Sequence, residues 1–307
     1  MQIPDILMKT FLFNEGFLNL IHIHAGAWLD QVMIAITWTG NELFYTLAFP
    51  VIYWTMDRKL ALVSGFAFLI SIAINDSLKV IFGSPRPHPE LLDEPIRQLA
   101  EKMRPESYGF PSGHTQGALS FWGSLAWFSR NRYVILAAIF FCVTVPYSRM
   151  YLGVHYAGDV AGGILVSLIL LPLLFYEMEI LGDKTERMND VIVTLLALLV
   201  PLLLFLVMPG HTISRIMGTL SGFLIGAWWA MRTDNYRASP SLLASLLRII
   251  TGFTVLFAFR ILLKKLLPEM EPAHYIRYAV IGLWIAWGAP WLFRIIEEKL
   301  FSARGKA

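Results

Sequence analysis

Apolar runs long enough to cross a bilayer recur along this chain, and that recurrence limits the possible folds more than any other feature. A helix needs about 20 residues to span the hydrocarbon, because it rises about 1.5 Å per residue across a core about 30 Å thick. Runs of that order stand at 31–55, 60–82, 113–129, 133–150, 157–177, 190–208, 213–231, 244–263 and 276–296, separated mostly by short polar breaks. Hydrophobic residues form 56% of the chain and charged residues only 15%, where a soluble domain carries about 25% charge. The pattern predicts an all-α fold, a polytopic membrane helical bundle of about nine transmembrane helices.

The net charge of +3 is slight, and no basic tract is dense enough to bind nucleic acid. Cys142 is the single cysteine, so no internal disulfide can form; it reads as a small buried hydrophobe. Residues 1–29 read as an N-terminal interfacial segment: their apolar residues are interrupted by Asp5, Lys9, Asn14, Glu15, His22 and His24. No basic n-region precedes them and no small-residue cleavage site follows. His22 and His24 are two apart and point to different faces of a helix, which suits the interface better than a metal.

Residues 83–111 form the one long connection. They are rich in proline and charge, so they lie outside the hydrocarbon, with a short helix near 94–103. The breaks put Arg58, Lys59, Arg130, Arg132, Lys184, Arg187, Arg232, Arg237, Lys299, Arg304 and Lys306 on one side. If that side is cytoplasmic, the long connection faces outward. Arg97, Lys102, Arg104, Lys264 and Lys265 oppose the bias. Gly218, Gly222 and Gly226 recur every fourth residue in the seventh run. Such spacing lets helices approach closely, either within this chain or in a homodimer; the oligomeric state stays open.

Three polar clusters interrupt the apolar sequence, all at span ends on one predicted side. They are KVIFGSPRP with Lys79 and Arg86, YGFPSGHT with Ser112, Gly113 and His114, and SRMYLGVHYAGD with Arg149, His155 and Asp159. Ionisable groups near hydrocarbon are costly, so several meeting at one level mark a site. The residue types suit phosphoryl transfer. Lys79, Arg86 and Arg149 can surround a phosphate without a metal, arginine holding two oxygens and lysine acting as a point charge. Ser112 and the Gly113 amide can donate further bonds at a helix N-terminus. His155 and Asp159 are four apart and share a helix face, so the carboxylate can fix the imidazole tautomer and leave the other nitrogen to attack. His114, on another helix, is the candidate acid for the leaving oxygen. Asn75 and Asp76 lie within a turn of Lys79 and can orient it. His88 stands between loop and site, and Asn41 and Glu42 fall inside the first run. The sequence holds no CxxC, HExxH, P-loop or dinucleotide fingerprint, so no metal and no cofactor is expected.

Lys-x6-Arg-Pro, Pro-Ser-Gly-His and Ser-Arg-x5-His-x3-Asp resemble the signature of the type 2 phosphatidic acid phosphatase superfamily. Every position is present, from Lys79, Arg86 and Pro87 through Pro111, Ser112, Gly113 and His114 to Ser148, Arg149, His155 and Asp159. The resemblance covers roughly residues 30–178 and implies a phosphohistidine at His155, supported by Asp159. It implies His114 as acid and Lys79, Arg86, Ser112, Gly113 and Arg149 as phosphate binders. Residues 179–307 add further membrane helices, a layout similar to the sphingosine-phosphate phosphatase and glucose-6-phosphatase branches. The expected division is thus an interfacial segment 1–29, a catalytic core 30–178 and C-terminal helices 179–307. The expected activity is metal-independent hydrolysis of a lipid phosphate or diphosphate at the bilayer, on the non-cytoplasmic face. The alternatives are a phosphatase for water-soluble sugar phosphates, and a lipid transporter that binds headgroups without hydrolysis.

Overall fold

The computed structural model describes residues 11–23, 25–185, 188–233 and 241–302, and every regular element among them is helical. Residues 1–10, His24 and the basic residues Arg187, Arg237, Arg304 and Lys306 lie outside the described residues. The helices are α1 (Glu15–Ile21), α2 (Ala27–Trp38), α3 (Glu42–Thr55), α4 (Arg58–Phe82), α5 (Ile96–Met103), α6 (Gly113–Ser129), α7 (Arg132–Tyr151) and α8 (Ala157–Thr185). They continue with α9 (Asp190–Val207), α10 (Ile213–Thr233), α11 (Leu242–Leu266), α12 (Glu271–Leu283) and α13 (Ala289–Ser302). A π turn at Trp284–Gly288 joins the last two.

Six segments are long and apolar enough to cross a membrane: Arg58–Phe82, Arg132–Tyr151, Ala157–Met178, Asp190–Val207, Leu242–Leu266 and Glu271–Lys299. The chain is an integral membrane protein with a polytopic helical fold. Three of the nine expected spans do not meet that measure, each for a physical reason. The run 31–55 is not one helix. It breaks at 39–41, where the Thr39 hydroxyl donates to the Ile36 carbonyl and the Asn41 side chain accepts from the Leu43 amide to start α3. Asn41 and Glu42 therefore sit exposed at a helix start. Helix α6 has only 17 residues and buries Thr115, Gln116, Ser120 and Ser124. Helix α10 buries most of its length, small residues such as Ser214, Gly218, Ser221 and Gly222 among it; a helix faced by protein needs less apolar surface than one faced by lipid.

Two compact units are present among the described residues. One holds residues up to Thr46, Ile70–Glu177 and Pro209–His211; the other holds Leu47–Leu69, Met178–Met208 and the residues from Thr212 onward.

In the first unit the described N-terminal residues pack on α5 and on the turn after α7. Phe13 packs on Tyr156 with ring centroids 5.7 Å apart. Leu18 is fully buried with Leu92, Ile96 and Ala100. The Tyr156 hydroxyl donates to Glu15 Oε1 at 2.6 Å, and the Asp93 amide donates to the Asn19 side chain at 3.1 Å. His22 is buried against the Tyr151 ring at 4.6 Å and lies 3.7 Å from Asp30. Phe13 and Leu18 are thus met by α5, itself amphipathic, and by the turn after α7, while Leu20 and Ile23 stay exposed.

In the second unit the glycines of α10 are packed against α12. A Cβ on Gly218 would lie 2.2 Å from the Tyr275 carbonyl oxygen, and one on Gly222 would lie 1.8 Å from that of Ala279. That face is occupied within the chain and is closed to a second copy. The π turn frees carbonyls, and two are taken up: Tyr53 donates to Ala286 and Trp54 to Ile285, each at 2.9 Å.

Candidate active site

All eight sequence-predicted residues fall in the first unit, at the ends of α4, α6, α7 and α8 and in the loops between them. Lys79 is in the last turn of α4. Its ammonium donates to the carbonyls of Tyr108, at 2.5 Å, and Gly109, at 3.3 Å. Asn75, one turn earlier, does not orient it. The Asn75 amide donates to Gln116 at 2.8 Å and to the Pro111 carbonyl at 3.3 Å. Gln116 in turn donates to the carbonyl and hydroxyl of Ser71, and Ser120 donates to that same hydroxyl. This buried ladder ties α4 to α6 and satisfies its own polar groups, as burial demands.

Arg86 is almost wholly buried in the loop after α4 and anchors the connection. Nε donates to the Ser107 carbonyl at 2.7 Å, NH2 to the Ser107 hydroxyl and the Tyr108 carbonyl, and NH1 to the Val154 carbonyl at 2.8 Å. NH1 also lies 2.8 Å from His155 Nε2. Burial lowers its pKa to about 10, opposed by Asp159 and reinforced by Arg104, so it remains a cation at neutral pH. Gly109 lets the strand of loop close: a Cβ there would meet the Pro85 carbonyl oxygen at 2.9 Å and Asp159 Oδ2 at 3.0 Å. Beside Arg86 lies a cavity of about 380 Å³ lined by Ser84, Arg104, Ser107 and Tyr108 among others.

Ser112 caps α6, its hydroxyl oxygen accepting from the Thr115 amide and hydroxyl at 3.4 and 3.0 Å. Its own amide donates to the Asp159 carbonyl at 2.9 Å, which fixes the start of α6 to the start of α8. A Cβ on Gly113 would meet Asn75 Oδ1 at 3.0 Å, so glycine keeps this first helical amide close to α4. His114 is half-buried in the same turn, within electrostatic reach of Arg149, Arg86 and Lys79.

Arg149 ends α7 and is fully enclosed. NH1 donates to the Thr37 hydroxyl at 2.7 Å, while Nε and NH2 have no partner among the described residues. Buried donors are ordinarily satisfied by a partner. His155 follows in the turn between α7 and α8. Its Nδ1 lies 3.1 Å from Asp159 Oδ2, and the Tyr156 amide donates to that oxygen at 3.0 Å. A guanidinium can only donate. The 2.8 Å contact therefore places the lone pair on His155 Nε2, and the proton on Nδ1 toward Asp159. Burial, joined by the charges of Arg86, Lys79, Arg149 and His114, pushes the His155 imidazole well below the ordinary histidine range.

His88 is exposed; its amide donates to Glu15 Oε1 at 3.4 Å and its carbonyl accepts from the Leu91 amide at 3.0 Å. Among the described residues no group of three or more His, Cys, Asp or Glu is placed to hold a metal ion. The sequence reading missed Thr37 and the carbonyls of Ser107, Tyr108 and Gly109. Backbone carbonyls leave no side-chain signature, and Thr37 lies far from the three clusters.

Two segments of the chain match one superfamily. Residues 60–182 match the PAP2 superfamily, and residues 214–300 match the transmembrane extension of PAP2 superfamily phosphatases. The undecaprenyl-diphosphatase BcrC of Bacillus subtilis strain 168 is 28% identical over 187 residues, covering 59% of this chain and 93% of that protein. The sphingosine-1-phosphate phosphatase 1 of Mus musculus is 26% identical over 311 residues, covering 84% of this chain and 70% of that protein. Among solved structures, a PAP2-type phosphatidylglycerolphosphate phosphatase from Bacillus subtilis is similar, with 25% identity over 60% of this chain and 92% of that one and a TM-score of 0.43. The first matched segment contains all three polar clusters, the second follows it in the C-terminal helices, and the chain is a PAP2 superfamily membrane phosphatase.

Proposed function

We propose that the protein hydrolyses a lipid phosphate or diphosphate through a phosphohistidine at His155, without a metal. The observation that carries this is the pair of contacts on one imidazole: Asp159 on Nδ1 and Arg86 on Nε2. Arg86 exchanges its bond to Nε2 for bonds to the incoming phosphate, which uncovers the lone pair. Nε2 attacks phosphorus, the P–O bond to the leaving group breaks, and His114 gives that oxygen a proton. Water then attacks the phosphohistidine, returning its proton to His114 and releasing orthophosphate and neutral His155. Lys79, Arg86 and Arg149 spread the charge of the equatorial oxygens, with Ser112 and the Gly113 amide as further donors.

The substrate class follows from three supports. The site stands at the ends of membrane helices, where an amphiphile can present its head and keep its tail in lipid. The relatives are named for undecaprenyl diphosphate and sphingosine 1-phosphate. The layout of core and extension extends over most of the sphingosine-phosphate relative. In this reading residues 30–178 are the catalytic core and 179–307 the added helices. Nine crossings result when α6, α10 and the broken pair α2–α3 each cross once. The site faces the non-cytoplasmic side.

The test is orthophosphate release by purified protein in EDTA from phosphatidate, sphingosine 1-phosphate, a polyprenyl diphosphate and a sugar phosphate. Lipid substrates are expected to react at least tenfold faster in kcat/KM, with vanadate inhibiting. Activity lost in EDTA and restored by Mg²⁺ overturns the metal-free mechanism, and preference for the sugar phosphate overturns the substrate class.

A further inference from the structure

We infer that Thr37, in the last turn of α2, is a positioning residue that sets the guanidinium of Arg149 for phosphate. This rests on the reading above that Arg149 binds phosphate. Thr37 lies outside residues 60–182 and outside all three polar clusters. Its side chain is 2% exposed, as is that of Arg149. The 2.7 Å bond from NH1 to Thr37 Oγ1 is the one hydrogen bond the Arg149 side chain makes among the described residues. The other two nitrogens are buried without a partner among them.

A planar guanidinium held at one corner keeps its remaining N–H groups in a fixed direction. Released from that corner, it can turn about its side-chain torsions before an anion arrives. The ordering cost then falls on binding. A hydroxyl suits this place better than a carboxylate. It accepts one bond and leaves the positive charge for the substrate, where a carboxylate would neutralise it.

A second contact comes from the same turn. The Gly40 amide donates to the Thr37 carbonyl at 3.0 Å. A Cβ at Gly40 would meet His114 Cδ2 at 3.0 Å and Val145 Cγ1 at 3.0 Å. The break between α2 and α3 thus brings one short segment against both Arg149 and His114. The break that interrupts the expected first span is the feature that lets α2 complete the site.

Vanadate inhibition of the full-length protein, with kcat and KM measured beside it, provides the test. Thr37→Val, which keeps the shape and removes the acceptor, is expected to weaken vanadate by about tenfold or more. Thr37→Ser is expected to stay within about threefold of the parent. Thr37→Val added to Arg149→Lys is expected to cost less than about threefold further, because the two act through one contact. If the valine variant does not fold, Thr37→Ala carries the same comparison. Parental vanadate inhibition in Thr37→Val, equal losses in Thr37→Ser and Thr37→Val, or full additivity with Arg149→Lys overturns the role of Thr37. Parental inhibition in Arg149→Lys overturns instead the role of Arg149.

Discussion

At His155 a single imidazole is read from both sides, by a carboxylate on one nitrogen and a guanidinium on the other. His155→Ala should abolish turnover while vanadate still binds, because the cationic pocket remains. Asp159→Asn should retain slow turnover, about 10²–10⁴-fold down, since it disturbs the tautomer but spares the nucleophile. Near-normal phosphate release by His155→Ala would remove the nucleophile assignment. The depressed imidazole pKa has a sign that can be followed. His155 must be neutral to attack, and burial among cations favours neutrality. The acid limb of kcat/KM, which reports the free enzyme, is therefore expected below pH ~6.5, the ordinary histidine value. Bound phosphate offsets the cations and raises that pKa, so the acid limb of kcat should lie at higher pH than that of kcat/KM. The substrate's own ionisation near pH ~6 is separated by comparing alkyl and aryl phosphates; a limb that moves with the substrate is not His155. The pairing of His155 with Asp159 was legible in their spacing of four, although His155 stands in the turn before α8 and only Asp159 is on the helix. The partners that aim the cations were not, because Thr37 is a lone threonine and the Ser107–Gly109 acceptors are backbone.

Among the helices, legibility depended on what each one faces. The six lipid-length segments were visible because their apolar runs are continuous. The split of 31–55 had a signal that hydropathy hides, since Gly40-Asn41 is turn chemistry. Helices α6 and α10 face protein, so their polar and small residues record packing. The α10 glycines give a sharp expectation. Gly222→Ala would place a Cβ 1.8 Å from backbone of α12, and backbone cannot swing aside as a side chain can. A loss of about 1–3 kcal/mol or more is expected, read as a lower thermal midpoint in detergent. Gly26→Ala is the control: nothing lies within 4 Å of its Cβ position and its φ of −165° is ordinary extended backbone. Equal midpoints for the two variants would mean that α10 and α12 are not packed as described.

For the whole molecule the open quantity is direction across the membrane, and helix ends make it measurable. Arg58 and Lys59 begin α4, while Lys79 ends it; Arg130 and Arg132 lie beyond the end of α6, while Ser112 and His114 begin it. Charge and site therefore occupy opposite ends of the same helices. Cytoplasmic arginine and lysine bias orientation chiefly when they lie close to span ends, as these four do. Arg97, Lys102 and Arg104 pull the other way from the long connection, so the bias is a difference, not a unanimous count. With Cys142→Ala as background, a cysteine replacing exposed Glu101 of α5 (Glu101→Cys) should react with an impermeant maleimide in intact cells. Met56→Cys, exposed at the Arg58 end of α4, should react only after the membrane is opened. The paired positions guard against a merely unreactive thiol, because permeabilised cells must label both. The reversed pattern would put the pocket in the cytoplasm. The chemistry at His155 would stand, and its substrate would be drawn from the inner leaflet.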